Sequence, residues 1–364
     1  MYSQNDLDDA VASGAITPES AASLRAFVDR QRSSPAVDEE HFRLITGFND
    51  IFVSIAAAIL LFAVGWIGQS IGHHLGFVVD ERGPSPLAPA LVAATSWGLA
   101  LFFTAHRHMA LPSILLLLTF VGGVVGSVGL TLVTFFASPE LEAGEQAWVA
   151  GLIGAAAASA GAVAAYVHWK RFRVPITVAA GAASVAGIVV ALIGAVIDDT
   201  PNTLNIVLGV VLVLGIGVFL YAMRWDSSDP ARISPRSDVA FWLHLLAAPM
   251  IVHPVFTLLG LNDGNASIGE GLVVIAIYVA LGIAALAIDR RALLVSALAY
   301  VLFAMNKLFE QFGAVSLNIA LTALVIGSAL LLLSAFWHQA RAAVVGRLPG
   351  SLRGHLPSLN PQPA

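Results

Sequence analysis

Ten apolar runs cross the chain, near 51–71, 88–105, 111–137, 147–168, 174–197, 203–223, 239–260, 269–288, 292–311 and 315–337. Each predicts an α-helix long enough to cross lipid, since a hydrocarbon core of about 30 Å needs roughly 20 apolar residues at a helical rise. The third run is long and is expected to tilt or bend. The fourth, "AGLIGAAAASAGAVAAY", is built from small residues and suits close helix packing more than lipid contact. Gly68 with Gly72, and Gly122 with Gly126, read as packing positions of the same kind.

The polar positions between the runs alternate in sign. One set of turns carries Arg43, Arg107, Lys170, Arg171, Arg173, Arg224, Arg232, Arg236, Arg290 and Arg291, and the C-terminal stretch adds Arg341, Arg347 and Arg353. The other set holds Arg82, with Lys307 near that edge, and carries Asp80, Glu81, Glu140, Glu142, Glu145, Asp198, Asp199, Asp263 and Glu270. Lys and Arg gather on the cytoplasmic side of membrane proteins. The alternation therefore predicts an even number of spans with both termini cytoplasmic. Trp169, Trp225 and Trp337 at the basic ends and Trp148 at an acidic one fit interfacial anchoring. The expected fold is an all-α polytopic transmembrane bundle of about ten spans.

Four segments are expected: a cytosolic helical hairpin at 1–34, a linker and amphipathic lead-in at 35–49, the transmembrane bundle at 50–338, and a basic Pro/Gly-rich tail at 339–364. Gly14 ends the first short helix of the hairpin. Thr17 and Pro18 open the second, as N-cap and first helical residue. Residues 1–49 are polar and mixed in charge, unlike the basic start and apolar core of a signal, so no cleaved leader is expected. Basic turns recur at Arg107, Arg171, Arg232 and Arg291. That spacing fits duplicated two-helix units, but a succession of similar spans joined by short loops produces it without duplication.

Composition agrees with this reading. Hydrophobic residues make up 58% and charged ones 11%, with a mean hydropathy of +0.84, whereas soluble domains carry about a quarter charged residues. The chain has no cysteine, which excludes disulfides, thiolate metal sites and cysteine nucleophiles. The net charge is −5 and no Lys/Arg block suggests nucleic acid. Zinc-protease, P-loop and nucleophile-elbow signatures are missing, so no catalytic residue and no cofactor is assigned. The partners expected are the lipid bilayer and a cytosolic protein for the N-terminal hairpin, with the oligomeric state left open.

Candidate chemistry concentrates in the seventh run, "VAFWLHLLAAPMIVHPVFTLLG". Pro249 and Pro254 each remove a backbone N–H and free a carbonyl one turn earlier, which neighbours or water must satisfy. His244 and His253 lie in the same run. Nine positions apart, they point to opposite sides of a straight helix and do not make a metal pair by themselves. The ninth run ends in "AMNKLFEQFG", where Asn306, Lys307, Glu310 and Gln311 interrupt the apolar pattern. Two readings stand: a helix surfacing with a Lys307–Glu310 pair one turn apart, or one wall of a polar pocket. Counted along their helices, His253 and Lys307 lie at similar depth, about 21 Å and about 22 Å. Asn205 and Asn318 start their spans from that side. Convergence of His244, Pro249, His253, Asn306, Lys307, Glu310 and Asn318 would make a substrate or proton path. Weaker candidates are His73 and His74 beside Asp80 and Glu81, and His106 and His108 around Arg107.

The stretches "LDDAVASGAITPESAASLRAF", "GFNDIFVSIAAAILL" and "KLFEQFGAVSLNIALTALVIGSALLLLSAFW" resemble bacterial predicted membrane proteins of unknown function, which place a short cytosolic helical hairpin before many spans. The resemblance implies an integral membrane protein and no activity. Two functions of different kinds follow as expectations: a small-molecule or ion/proton-coupled permease using the seventh span, or a non-transporting sensor or assembly module acting through the hairpin.

Overall fold

The structure is a computed structural model that describes residues 10–24, 48–137, 143–197, 202–229, 234–259, 268–290, 294, 298, 301–302, 318–353 and 356. All regular structure among these residues is helical. The chain divides into two compact units, Met1–Phe42 and Arg43–Ala364.

In the first unit, Gly14 takes a positive φ of 74° and closes the turn after the helical residues 10–12. Thr17 Oγ1 accepts a hydrogen bond from the Ser20 amide at 3.2 Å, so it caps the helix that Pro18 begins. Ala21 is buried beneath this turn. The rest of the expected hairpin lies outside the described residues.

The second unit holds the apolar helices α1 (Phe48–His74), α2 (Leu87–Phe103), α3 (Ala110–Phe136), α4 (Ala143–Phe172), α5 (Ile176–Val196), α6 (Thr203–Ser227), α7 (Pro235–Leu258), α8 (Ile268–Ile288) and α9 (Asn318–Ala335). They match nine of the ten apolar runs. Of the remaining run, residues 294, 298, 301 and 302 are helical and the others lie outside the described residues. Six helices, α1 and α3 to α7, are long and apolar enough to cross a membrane, and α2 and α8 are shorter. α9 turns by 76° into α10 (Trp337–Arg347); counting this bent pair as one span brings the number to seven. A short turn, α11 (Gly350–Arg353), follows.

From α1 to α7, consecutive helices pair. The closest partners are α4 with α5 and α6 with α7, followed by α2 with α3, α3 with α4, and α1 with α2. α5 also packs on α7, and α8 on α10. The long helices other than α7 bury one narrow face and leave large apolar side chains outside. α1 buries Ser54, Ala57, Leu61, Gly68 and Gly72, while Phe52, Ile59, Phe62 and Trp66 are exposed. Exposed apolar surface on this scale suits lipid, not water.

Small residues set the close approaches. A Cβ at Gly68 would lie 2.8 Å from the backbone of Ala88, and one at Gly151 would lie 2.2 Å from Ala195. The small-residue character of the fourth run thus serves its tight seam with α5. On α3 the crossing glycine is Gly123, whose Cβ would meet the Pro89 carbonyl at 2.7 Å, while Gly122 faces open space. The one-residue offset arises because the i, i+3 pair Gly123 and Gly126 faces α2 together.

α7 is the central helix of the described bundle. Of its most apolar 18-residue window 50% is buried, against 17–22% in the other long helices. Ser234 caps it by accepting from the Arg236 amide, and Pro235 occupies the first position. It runs as one helix through both Pro249 and Pro254.

Candidate functional site

The buried seam of α6 is Leu208, Gly215, Ala222 and Asp226, spaced so that all four share one face toward α7. Three of these residues are small or apolar and the fourth is a carboxylate. Asp226 is 3% exposed, and an uncompensated charge at such a site is costly. His244, on the facing side of α7 and fully buried, donates from Nε2 to Asp226 Oδ2 at 3.0 Å. Because a carboxylate only accepts, that bond fixes the proton on Nε2. Phe219 packs edge-on against the imidazole, with ring centroids 5.2 Å apart.

Arg290, just beyond the end of α8, completes the group. Its Nε donates to Asp226 Oδ2 at 3.2 Å and its Nη2 to Oδ1, a bidentate fork of the strongest kind. Nη2 also donates to the Ser237 carbonyl at 3.1 Å, in the first turn of α7. One guanidinium therefore ties the end of α6 to the beginning of α7.

The preceding residue makes a second buried group. Asp289 has φ 58°, a left-handed conformation that turns the chain sharply after α8. Its Oδ1 accepts from Trp337 Nε1 at 2.7 Å and lies 3.6 Å from Arg341 Nε. Trp337 and Arg341 are one turn apart on α10 and both are buried, so this helix is held against α8 by its charged face. The sequence places Arg341 in an expected basic tail, whereas here it is buried on a helix. A third carboxylate, Asp229, accepts from the Ser234 amide and hydroxyl at 2.9 and 2.7 Å and ties together the link between α6 and α7.

Of the sequence-predicted path, His244 is buried, while Pro249 and His253 lie on the exposed side of α7. The two histidines thus point apart, as their spacing predicts. Asn306, Lys307 and Glu310 lie outside the described residues, and Asn318 begins α9. The seventh, ninth and tenth runs do meet, through an apolar cluster of Val252, Phe256, Val274, Val301 and Ile326. Asn205 is exposed at the start of α6. No group of three or more potential metal ligands occurs among the described residues.

Sequence reasoning passed over Asp226, Asp289, Arg290 as a buried group, and His168. The last is fully buried near the end of α4, enclosed by Trp97, Phe120 and Phe172 and within 3.2 Å of Thr177 Oγ1. A usable signal existed for the aspartates. Asp226, Asp229, Asp238 and Asp289 are acids set among the basic turns, against the sign of their surroundings.

The hydroxyl of Tyr278, by contrast, is buried with no hydrogen-bond partner among the described residues. Tyr278→Phe should therefore be neutral or raise thermal stability slightly, by less than about 1 kcal/mol, because it removes an unsatisfied group and little packing. A loss above that in a thermal melt would mean that the hydroxyl is engaged.

No family model, curated protein or solved structure matches this chain, so none corresponds to the resemblance read from its N-terminal stretch, first span and last hairpin.

Proposed function

We propose that the chain is a proton-linked permease for a small molecule or ion, with about ten spans, both termini in the cytoplasm of a bacterium, and a working site around α7. The observation that carries this reading is His244, which sits in the most buried helix and hydrogen-bonds a carboxylate already held by Arg290. Ionisable side chains inside a membrane bundle are expensive and mark ion or proton pathways. Histidine is the side chain whose ordinary titration falls between pH 5 and 8.

The proposed cycle follows from competition. A second proton on His244 gives Asp226 two cationic partners. Its hold on Arg290 weakens, and with it the bond from Arg290 to Ser237 that pins the start of α7. The same helix is softened midway. Pro249 and Pro254 leave the carbonyls of Leu245 and Met250 without their intrahelical donors. Those carbonyls are available to a cation or a hydroxyl, as at the broken helices of secondary transporters. On this reading the path continues toward Asn306, Lys307, Glu310 and Asn318 at the other end.

Reconstituted protein in vesicles containing a pH-sensitive dye tests the idea, with solutes chosen by metabolite profiling of a deletion strain. Solute addition should move protons in the wild type, and His244→Gln should abolish proton movement while the protein stays folded. Undiminished coupling in His244→Gln would remove His244 from the path. A bundle closed to water, with a cytosolic protein captured by residues 1–34, would favour the sensor or assembly module instead.

A further inference from the structure

Outside the buried group, the ends of α6 and α7 enclose an open cleft of about 380 Å³ lined by Tyr221, Arg224, Trp225, Ser228 and Arg236. Two features make it unusual. Arg224 and Arg236 are both exposed, and neither guanidinium has a carboxylate or hydrogen-bond partner among the described residues. The buried arginines Arg290 and Arg341, by contrast, each lie within 4 Å of an aspartate. The walls are amphipathic: Tyr221 and Trp225 meet edge to face at 6.2 Å, each with an apolar ring and a polar tip. The first amides of α7 add positive potential beside Arg236.

The approach to this cleft is apolar. Val213, Ile216 and Leu220 are all exposed, and their spacing of three and four puts them on the same face of α6 as Arg224. A lipid-facing stripe thus leads directly to a pair of exposed guanidiniums. A soluble anion has no use for such a stripe, but an acyl chain does.

We infer that this cleft binds the phosphate of an anionic glycerophospholipid, with Arg224 and Arg236 holding the headgroup and an acyl chain lying along Val213, Ile216 and Leu220. Tyr221 and Trp225 mark the level of the glycerol backbone, where amphipathic rings settle. The site is independent of transport: it requires only that α6 faces lipid.

Purified full-length protein in detergent, titrated with phosphatidylglycerol or with phosphatidylcholine of the same chains and read by native mass spectrometry, tests the assignment. The wild type should retain phosphatidylglycerol about tenfold better or more, since each cation near an anionic headgroup contributes appreciably. The double variant Arg224→Gln/Arg236→Gln should fall to near parity between the two lipids. Arg224→Lys/Arg236→Lys should keep most of the preference, and Arg82→Gln, altering a basic residue elsewhere, should keep all of it. Equal retention of both lipids by the wild type, or an undiminished preference in the double glutamine variant, overturns the proposal. So does full displacement by excess inorganic phosphate, which would make the cleft an anion site with no claim on lipid. Both guanidiniums are exposed, so the variants should fold, and an unchanged melting temperature verifies this.

Discussion

Asp226→Leu should be among the most damaging single substitutions in this protein, lowering stability by about 3–5 kcal/mol, because it strands a buried guanidinium. Arg290 would keep its carbonyl contact at Ser237 and lose both carboxylate bonds. His244 would lose the acceptor for its Nε2 proton. The effect is read as a fall in melting temperature in detergent. The informative companion is Asp226→Leu/Arg290→Met, which replaces both charges by apolar groups and should recover much of the loss, since well-packed isosteres often match a buried ion pair. If the double variant is as unstable as the single one, the carboxylate supports the bundle by packing and not by neutralising Arg290. If it is stable and still moves protons, the pair plays no part in the proposed cycle.

Gly215→Val is the second large expectation. A Cβ at Gly215 would lie 2.9 Å from the carbonyl carbon and Cβ of Met250 and 3.0 Å from its carbonyl oxygen. Overpacking of this kind costs about 1–3 kcal/mol, and here the obstacle is mostly backbone, which cannot rotate away. The cost has a functional side as well. Met250 is the carbonyl that Pro254 deprives of its donor, so Gly215 is where α6 closes on one of the two proline-freed carbonyls of α7. Gly217→Val, two residues on at a position open to space, should be far milder. Comparable melting temperatures for the two variants would mean that α6 and α7 do not meet as closely as the seam requires.

What the sequence makes legible is set by distance along the chain. Helix positions follow from local composition, so the apolar runs locate α1 to α9 within a few residues. Thr17 accepts from the amide three positions on and Gly14 donates to the carbonyl three positions back, and their roles are readable for the same reason. The central place of α7 is foreshadowed by its prolines and by His244. The site around it is not. Arg290 meets an aspartate 64 positions earlier, and Trp337 meets one 48 positions earlier. A charge among basic turns reads as an orientation marker until its partner is seen, so Arg290 and Arg341 pass for interfacial residues although both are buried. The depth argument for His253 has a similar limit. Height along a helix is computable from its rise, but azimuth relative to neighbours is not, and α7 offers Val252 and Phe256 to the shared cluster while His253 faces outward.

The separation of the charged partners also bears on how the protein is made. Synthesis runs from the N-terminus, so Asp226 and His244 leave the ribosome well before Arg290, which lies 64 positions after the aspartate. During that interval the hairpin of α6 and α7 carries Asp226 without the guanidinium that forks to it in the finished fold. Arg290 then fastens this hairpin, and Asp289 beside it waits in turn for Trp337 and Arg341. The dipeptide Asp289–Arg290 therefore belongs to both buried groups, with one partner far upstream and the other far downstream in the chain.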